Sequence, residues 1–354
     1  MKTFLVTGGA GFVGSNLAIR LKQDYPDTRV IVLDNLRRRG SELNIARLRA
    51  NGVEFVHGDI RVRGDLNVVS KVDCILECSA DPSVLAGYTT SPEYVIETNL
   101  VGTLNCLELA RQHGSDFIFF STSRVYPFRT INSLEIVETP TRYELHDQQR
   151  VVGVSSAGFT EEFPLNGARS LYGATKLAGE LIMQEYLEMY GLRGVINRCG
   201  VITGPWQMGK IDQGFIVLWV AGHVFGGSLS YIGYGGKGKQ VRDILHIDDL
   251  YRLVDIQINS LDELKGQLFN VGGGRDISVS LRELTGLCEQ ATGNCIDIQP
   301  VHKERPADIS IYLSDCRKVR EQTGWVPSFG VGEIVAEIAK WIRDNRILLK
   351  PVLM

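Results

Sequence analysis

Tyr172 and Lys176 are the two residues whose types and spacing suggest chemistry most directly. A spacing of four places both side chains on one face of a helix. A phenol with an ordinary pKa of about 10 is a poor base at neutral pH, but a neighbouring ammonium favours the phenolate, and about 4 kcal/mol lowers that pKa by three units. The pair can then remove a proton from an alcohol and return it. Taken alone, it is also a common arrangement on helix surfaces.

The stretch STSRVY, residues 121–126, places three hydroxyls and a cation directly after the apolar run DFIFF. The apolar run predicts a buried strand. Because ligands bind at the carboxyl ends of the strands in a doubly wound sheet, these hydroxyls should face the same cleft as Tyr172. A hydroxyl there can hydrogen-bond a reacting alcohol and position its proton.

A glycine-rich turn, TGGAGFVG at residues 7–14, precedes both groups. It contains G-x-G-x-x-G at Gly9, Gly11 and Gly14, follows the first predicted strand and opens a helix, which is the context of a dinucleotide-binding turn. Glycines let backbone N–H groups approach a pyrophosphate closely, and the helix N-terminus stabilises its negative charge. The predicted cofactor contacts at this turn are Gly8, Gly11, Phe12 and Val13.

Asp34 ends the second predicted strand about twenty residues after the glycine turn. An acid in this position binds the adenosine ribose and repels a 2′-phosphate, which favours NAD over NADP. Asn35 beside it is a further predicted cofactor contact. Arg37 and Arg38 are the counter-argument because either can reach such a phosphate, although a short basic run followed by glycine also fits a solvated loop.

Two further positions are expected to border the cofactor. Asp59 and Ile60 follow the third predicted strand, where they can contact the adenine, although Asp59 can equally cap the strand end. Cys199, after the sixth predicted strand, is expected as a small buried residue beside the nicotinamide. The sequence pairs no base with this thiol, which argues against a nucleophile, and it shows no metal-ligand spacing.

Short apolar segments alternate with helix-like segments through the first half of the chain. This alternation predicts parallel β–α units, and therefore an α/β protein with a Rossmann-type doubly wound parallel sheet. The predicted strands are 2–7, 29–33, 52–57, 72–78, 116–120 and 194–198. The predicted helices are 12–24, 41–50, 92–112 and 171–190.

The rest of the chain is less regular. Residues 128–169 lack periodicity and carry turn residues, which predicts a functional loop or lid. After residue 200 the alternation weakens, which predicts a smaller C-terminal α/β lobe. We therefore predict an NAD-binding Rossmann domain over residues 1–200, whose sheet is re-entered near 241–275, and a mainly substrate-binding lobe over residues 201–354.

Composition excludes several classes of protein. The 354 residues carry a net charge of −3, with 44% hydrophobic and 22% charged residues, so there is no bulk attraction to nucleic acid or anionic membranes. The longest apolar stretch, FIVLWVAGHVFGG, is too short and too rich in glycine to span a bilayer. Seven scattered cysteines without a CxxC pair, and an N-terminus that runs directly into a strand, predict a cytoplasmic protein without a cleavable leader.

Thr122, Tyr172 and Lys176, together with the glycine turn, resemble the extended short-chain dehydrogenase/reductase family. Asn99 in ETNLVGTLN fits the same family, and the likeness to its nucleotide-sugar epimerases and dehydratases extends over nearly the whole chain. The resemblance implies a nucleotide-diphosphate sugar as substrate and Thr122, Tyr172 and Lys176 as the catalytic triad. It also implies further cofactor contacts at Ser79, Ala80 and Asn99, and at Tyr172 and Lys176 themselves.

The residues after Thr122 bear on the reaction. Dehydratase relatives carry an acidic pair there and decarboxylase relatives a glutamate, whereas this chain has Ser123 and Arg124, neither of which is a base near neutral pH. The resemblance therefore implies epimerisation, in which oxidation to a keto sugar is followed by reduction from the opposite face. The alternatives are a 4-epimerase of UDP-hexoses, a 4,6-dehydratase-like enzyme and a non-catalytic NAD-binding regulator. The regulator is disfavoured because the proton-transfer pair is intact.

Five stretches look most like CDP-paratose/CDP-tyvelose 2-epimerases, which implies inversion at C2 of a CDP-sugar. They are DNLRRRGSELNIARL, FVHGDIR, ETPTRY, Asp212-Gln213-Gly214 and GKGKQVRDILHIDDL. Two positions depart from the wider family pattern. Glu77-Cys-Ser-Ala-Asp81 stands where relatives often carry His-x-Ala-Gly or Ala-Ala-Gln, and Val201 replaces a polar residue of 4-epimerases.

The implied substrate contacts are Thr122, Ser123, Arg124, Gln213, Gln240, Arg242 and Arg305. Arg242 and Arg305 match the family's contacts to the nucleotide diphosphate. Arg242 can instead form an ion pair with Asp243, Asp248 or Asp249. Arg305 can likewise form an ion pair.

Association is implied by two helices that relatives pair in a dimer bundle. Predicted helices 92–112 and 171–190 both have an apolar face, which implies a homodimer or a homotetramer. The alternative is that both faces cover the sheet of their own chain.

Overall fold

The computed structural model describes residues 2–67, 70–88, 90–210 and 213–354, which form an alternating series of strands and helices. The strands are β1 (Thr3–Thr7), β2 (Arg29–Asp34), β3 (Glu54–His57), β4 (Cys74–Glu77), β5 (Asp116–Thr122), β6 (Ile136–Glu138), β7 (Tyr143–Leu145), β8 (Val154–Ser155), β9 (Gly158–Phe159), β10 (Gly194–Cys199), β11 (Val201–Thr203), β12 (Leu229–Ile232), β13 (Val241–His246), β14 (Leu268–Val271), β15 (Ser278–Ser280), β16 (Ile298–Val301) and β17 (Ile311–Tyr312).

The α-helices are α1 (Phe12–Asp24), α2 (Asn44–Ala50), α3 (Arg63–Leu66), α4 (Glu93–Ile96), α5 (Thr103–His113), α6 (Phe128–Asn132), α7 (Leu171–Tyr190), α8 (Phe215–Phe225), α9 (Ile247–Asn259), α10 (Leu261–Leu264), α11 (Leu281–Thr292), α12 (Arg317–Thr323), α13 (Val331–Asp344) and α14 (Arg346–Leu353). Short 3₁₀ turns cover Ser41–Leu43, Ser123–Val125 and Tyr234–Gly236, and a π-helical turn covers Glu97–Gly102. Among the described residues, none of these helices is long and apolar enough to cross a membrane.

A seven-stranded sheet in the order β14-β10-β5-β4-β1-β2-β3 confirms the predicted doubly wound α/β fold. The pairings of β1 with β2 and β4, of β2 with β3 and of β4 with β5 are parallel. The central strands are apolar along almost their whole length because helices cover both faces of such a sheet. Their register brings the carboxyl ends of β1, β2 and β4 side by side, since Thr7 pairs with both Leu33 and Glu77.

The predicted helices 12–24 and 171–190 match α1 and α7, whereas two others are interrupted. Predicted helix 41–50 is a 3₁₀ turn followed by α2. Predicted helix 92–112 consists of α4, the π-helical turn and α5. A π-helical turn inserts an extra residue into the helical register and commonly marks a functional position.

The prediction that residues 128–169 lack regular structure is wrong in part. The segment contains α6 and two antiparallel hairpins, β6–β7 and β8–β9. These strands have two or three residues each, which is too short for an alternating pattern to be recognised in the sequence.

The chain divides into two compact units, neither of which is continuous in sequence. The first comprises residues 1–125, 170–198 and 251–269, and the second comprises 126–169, 199–250 and 270–354. This division differs from the predicted boundary at residue 200, because 126–169 belongs to the second unit. Within the predicted return to the central sheet over 241–275, β14 joins the sheet by pairing with β10. Strand β13 of the same range pairs instead with β11, β15 and β17.

A buried apolar cluster packs helices of the first unit against the central sheet. Leu5, Ile31 and Phe117 of the sheet, Leu107 of α5 and Met183 of α7 are all fully buried in it. Each such side chain contributes about 1.5 to 3 kcal/mol on leaving water. This packing fixes the strand ends and helix starts that carry the predicted site.

Candidate active site

The glycine turn between β1 and α1 has no room for side chains. Gly8 has a φ of +62°, and a Cβ there would lie 2.8 Å from the carbonyl oxygen of Cys78. A Cβ on Gly14 would lie 2.5 Å from the carbonyl oxygen of Gly8. No described side chain caps the N-terminus of α1 at Gly11. The turn therefore forms a backbone cradle at a helix N-terminus, which fits a diphosphate.

Asp34 braces this cradle from the end of β2. Its carboxylate accepts hydrogen bonds from the backbone N–H of Ala10 at 3.1 Å and of Leu36 at 2.8 Å. Burial raises the pKa of Asp34 above its ordinary value, and these backbone donors oppose that effect. The remaining lone pairs of the carboxylate suit the hydroxyls of a ribose, so the residues here fit a dinucleotide.

Asp59 and Asn35 belong to one hydrogen-bonded cluster. Asn35 donates to Asp59 at 2.9 Å, and the Arg61 guanidinium donates to the same carboxylate at 2.8 Å. Burial acts to raise the pKa of Asp59, but the bonds from Arg61 and Asn35 hold it at about 2. The guanidiniums of Arg37 and Arg61 lie over the Tyr94 ring, 3.6 and 4.7 Å from its centroid. Asp59 thus organises its own loop, and Arg37 lies on an aromatic face.

Asn99, a predicted cofactor contact, is fully buried and fastens the loop that carries Ser79 and Ala80. Its side-chain oxygen accepts the N–H of Asp81 at 2.7 Å, and its amide nitrogen donates to the carbonyl of Asp81 at 3.1 Å. The same nitrogen donates to the Thr175 hydroxyl of α7 at 3.2 Å. The structure thus gives Asn99 a positioning role that ties this loop to the helix of Tyr172.

The three residues of the predicted triad lie on elements that pack together in the first unit. Thr122 is the last residue of β5, and α7 packs against β5 and against the turn Ser123–Val125. The side chain of Ser170 accepts the N–H of Gly173 at 3.2 Å and caps α7, which fixes the first turn of the helix, where Tyr172 lies. The Thr122 hydroxyl oxygen accepts the N–H of Arg124 at 3.2 Å, so its own proton can be donated elsewhere.

Lys176 forms a buried ion pair that the sequence analysis did not anticipate. Its Nζ lies 3.2 Å from Glu77 Oε2 and 4.2 Å from the centroid of the Phe119 ring. Burial raises the pKa of Glu77 above its ordinary value, and the charge of Lys176 opposes that effect. The available signal was Glu77 itself, a single acid at the end of the apolar strand CILE.

Ser121 is turned toward a second buried ion pair. Its hydroxyl donates to Glu180 of α7, whose carboxylate also pairs with Arg198 of β10 at 2.7 Å. Both charged side chains are almost completely buried. Ser121 therefore fastens the end of β5, which leaves Thr122 and Ser123 as the hydroxyls expected to act on a substrate.

In the second unit, Arg242 and Arg305 both pair with Asp308, an acid that the sequence analysis did not single out. The distances are 3.1 and 3.2 Å. Arg242 also donates to the carbonyl of Ile309 at 2.7 Å. An ion pair is thus present at both arginines, and it brings the two guanidiniums to one carboxylate.

The other predicted residues of the second unit make local contacts. Gln240 donates from its side chain to the carbonyl of Ile232 at 2.7 Å, the backbone of Gln213 pairs with Lys210, and Cys199 is buried. Asp212 lies outside the described residues. Within the part of the chain that is described, no group of three or more His, Cys, Asp or Glu side chains could hold a metal ion.

Comparisons with known proteins agree with this geometry. The model of the NAD dependent epimerase/dehydratase family matches residues 4–272. The CDP-paratose 2-epimerase of Salmonella typhi is 32% identical over 349 residues, which cover 95% of this chain and 98% of that protein. A dTDP-glucose 4,6-dehydratase of Mycobacterium tuberculosis is 28% identical over 353 residues, with 98% and 95% of the two chains covered.

Solved structures show the same similarity. The dTDP-glucose 4,6-dehydratase DesIV of Streptomyces venezuelae, solved with NAD bound, has a TM-score of 0.79 at 29% identity and covers 99% of both chains. The UDP-glucose 4-epimerase of Thermus thermophilus, solved in complex with NAD, has a TM-score of 0.75 at 26% identity and covers 96% of this chain and 99% of that one. The chain belongs to the NAD-dependent epimerase/dehydratase family of extended short-chain dehydrogenases/reductases, and its cofactor is NAD.

Proposed function

We propose that this protein inverts C2 of a CDP-sugar of the CDP-paratose/CDP-tyvelose type by transient oxidation and re-reduction. The observation that carries the proposal is the pair that follows Thr122. Ser123 and Arg124 offer no carboxylate for elimination or decarboxylation, while Tyr172 and Lys176 are both present. The 32% identity to a CDP-paratose 2-epimerase supports the choice of position and nucleotide.

The proton steps belong to the triad. Tyr172, as phenolate, accepts the proton of the C2 hydroxyl, and the buried Lys176 ammonium on the same face of α7 favours that phenolate. The Thr122 hydroxyl donates a hydrogen bond to the same sugar oxygen, because its own oxygen already accepts the N–H of Arg124. Bound NAD supplies the acceptor and later the donor of the hydride.

Inversion then requires only that the keto sugar turn its other face before reduction. Tyr172 returns the proton to the oxygen, and no further acid or base acts on carbon. This distinguishes direct C2 oxidation from a route through a neighbouring ketone, in which the C2 proton would be removed and exchanged with solvent.

The diphosphate of the substrate is assigned to Arg242 and Arg305. Planar guanidiniums bind phosphate oxygens in pairs, and the shared pairing with Asp308 orients both. Gln213 and Gln240 of the same unit, and Ser123 and Arg124 of the first unit, are the further residues proposed to contact the substrate.

The decisive experiment incubates the enzyme with CDP-sugars in deuterated water and follows the product by proton NMR. We expect a product inverted at C2 with no deuterium on that carbon. The matched controls are the corresponding UDP-, GDP- and dTDP-sugars. Inversion at C4 of a UDP-hexose alone would replace the proposal with a 4-epimerase, and deuterium at C2 would contradict direct oxidation.

Association as a homodimer or homotetramer is a further part of the proposal. The helices of the first unit expose large apolar side chains instead of using them all to cover the sheet. Ile96 and Val101 of the segment from α4 to α5 are 36% and 41% exposed, and Leu181 and Met189 of α7 are 56% and 66% exposed. Contiguous exposed apolar surface favours association. Light scattering of wild type and of Leu181→Glu measures it, and a monomeric wild type would contradict it.

A further inference from the structure

The partner of Lys176 distinguishes this site from that of a lone catalytic lysine. Glu77 is 0% exposed and Lys176 is 2% exposed. Glu77 Oε2 makes the 3.2 Å contact, whereas Oε1 has no hydrogen-bond partner among the described residues. The ammonium also lies over the ring of Phe119, 4.2 Å from its centroid. The ammonium therefore contacts both an acid and an aromatic face.

Stability is a poor explanation for such a pair. Two buried charges lose their hydration, and their attraction repays that loss only when the geometry is good and every oxygen is bonded. Here Oε1 has no hydrogen-bond partner among the described residues, and the two charged groups share one contact, although the backbone N–H of Ser79 also favours the carboxylate. A buried, incompletely satisfied pair that includes a proton-transfer lysine is instead typical of a tuned functional site.

We propose that Glu77 is a positioning residue whose carboxylate fixes the Lys176 ammonium and compensates its charge, so that Tyr172 ionises at a higher pH than it would beside an uncompensated lysine. This inference rests on the proposed proton transfer by Tyr172. The inference adds to that proposal the residue that sets the pH at which the site works.

Two neighbouring ionisable sites do not compensate the charge of Lys176. Burial holds the pKa of the Cys106 thiol on α5 well above its ordinary value, so the thiol is neutral. Further along α7, Glu180 and Arg198 neutralise each other. Arg124, in the turn that packs against α7, stays charged throughout. Glu77 is thus the acid in direct contact with Lys176, and its charge changes the field of Lys176 at the phenol.

Glu77→Gln tests the inference because it removes one charge and keeps the shape. We expect the acid limb of kcat against pH to move to lower pH by about one unit, since the phenolate gains the uncompensated charge of Lys176. KM for the nucleotide sugar should change less than about twofold, because Glu77 acts on the proton step alone. An acid limb that stays in place or moves to higher pH would overturn the proposal.

The matched control is Asp116→Asn, at the amino end of the same sheet. Asp116 is also a buried carboxylate in an ion pair, 2.7 Å from Arg193, so the substitution makes the same change of charge far from the strand ends that carry the triad. Its acid limb should coincide with that of wild type. Glu77→Asp keeps the charge, so its acid limb should lie within about 0.3 unit of that of wild type. If lost packing caused the shift in Glu77→Gln, Glu77→Asp would shift the limb as well.

A second readout needs neither a substrate nor turnover. Ultraviolet difference titration of the NAD-loaded protein, with the matching Tyr172→Phe protein subtracted, measures the ionisation of Tyr172 directly. The midpoint should be lower in Glu77→Gln than in wild type, and equal midpoints would sink the inference. If Glu77→Gln does not fold, Glu77→His, which places a residue common in relatives, takes its place with the same expectation. Because this titration is independent of the sugar, failure of the C2 reaction and failure of the Glu77 inference are told apart.

Discussion

Helix α7 carries two buried ion pairs one turn apart, and they differ in how completely they are bonded. In the pair of Glu180 with Arg198, the carboxylate accepts from both Nε and Nη2 of the arginine and from the hydroxyl of Ser121. In the pair of Lys176 with Glu77, the charged groups make one contact, the backbone N–H of Ser79 also favours the carboxylate, and Oε1 has no described partner. The first pair is saturated and the second is not.

The difference separates a structural role from a functional one. A saturated, bidentate pair fixes the relative positions of β5, β10 and α7. Lys176 of the second pair lies four residues from Tyr172, the proposed base, and the charges of the pair act on its ionisation. On the proposed mechanism, the same helix therefore uses one pair to hold the strand ends and the other to set the proton chemistry.

The largest expected effect comes from removing the phenol that the unsaturated pair serves. Tyr172→Phe should lower kcat by about 10² to 10⁴-fold, because general acid–base catalysis contributes that much. NAD content after denaturation should equal that of wild type, since the cradle at Gly8 and Gly14 is untouched. Retained epimerisation in this variant would show that Tyr172 is not the proton-transfer residue and would remove the functional half of the comparison.

The saturated pair should dominate stability instead. Arg198→Met leaves Glu180 buried without its cation, which costs about 3 to 5 kcal/mol in the free energy of unfolding. Urea denaturation at about neutral pH measures this loss in the free energy of unfolding. The control is Arg198→Met combined with Glu180→Leu, which should recover most of the loss because the uncompensated charge is gone. A loss below about 1 kcal/mol in the single variant would show that this pair is not structural.

A third buried acid, Asp243 in the second unit, sharpens the comparison because no ion pair is seen for it within the described ranges. Its Oδ2 accepts the N–H of Ser314 at 3.0 Å, its Oδ1 has no described partner, and burial raises its pKa from 3.8 to about 6. Its contribution to stability is therefore fully present below about pH 4 and is lost as pH rises through about 6.

Asp243→Asn should abolish this pH dependence. As pH rises from 4 to 8, the free energy of unfolding of the variant should increase relative to that of wild type by up to about 3 kcal/mol. The reason is that the neutral amide has no charge to desolvate. Urea denaturation of both proteins across this range tests it, with Asp116→Asn as the paired-acid control. Parallel curves for variant and wild type would contradict the assignment.

The parts of the molecule that were predictable from sequence are those whose geometry is local. The glycine turn, the Tyr172–Lys176 spacing and the strand–helix alternation depend on neighbours a few residues apart, and α1 and α7 end where the pattern does. The partners of the charged residues were not predictable. Glu77 reaches Lys176 through strand order and register, and Asp308 reaches Arg242 from 66 residues away in sequence.

The segment 128–169 also shows that structure set by distant contacts is not predictable from local sequence. Strands of two or three residues are too short to show an alternating pattern in the sequence, so the pairing of these hairpins depends on contacts made elsewhere in the fold. Asn99 shows that a family resemblance can find a residue whose contacts it does not describe, since its amide fastens the loop at Asp81.

The π-helical turn Glu97–Gly102 makes chain length at this point a constraint on evolution. Asn99 within the turn must face the loop at Asp81, while Leu107 and Ala110 of α5 must face the core. Each residue of a helix advances the side-chain direction by about 100°. Losing one residue here would restore a regular helix but rotate one of these two faces away from its partner. Descendants of this sequence can exchange side chains along this stretch far more readily than they can shorten it.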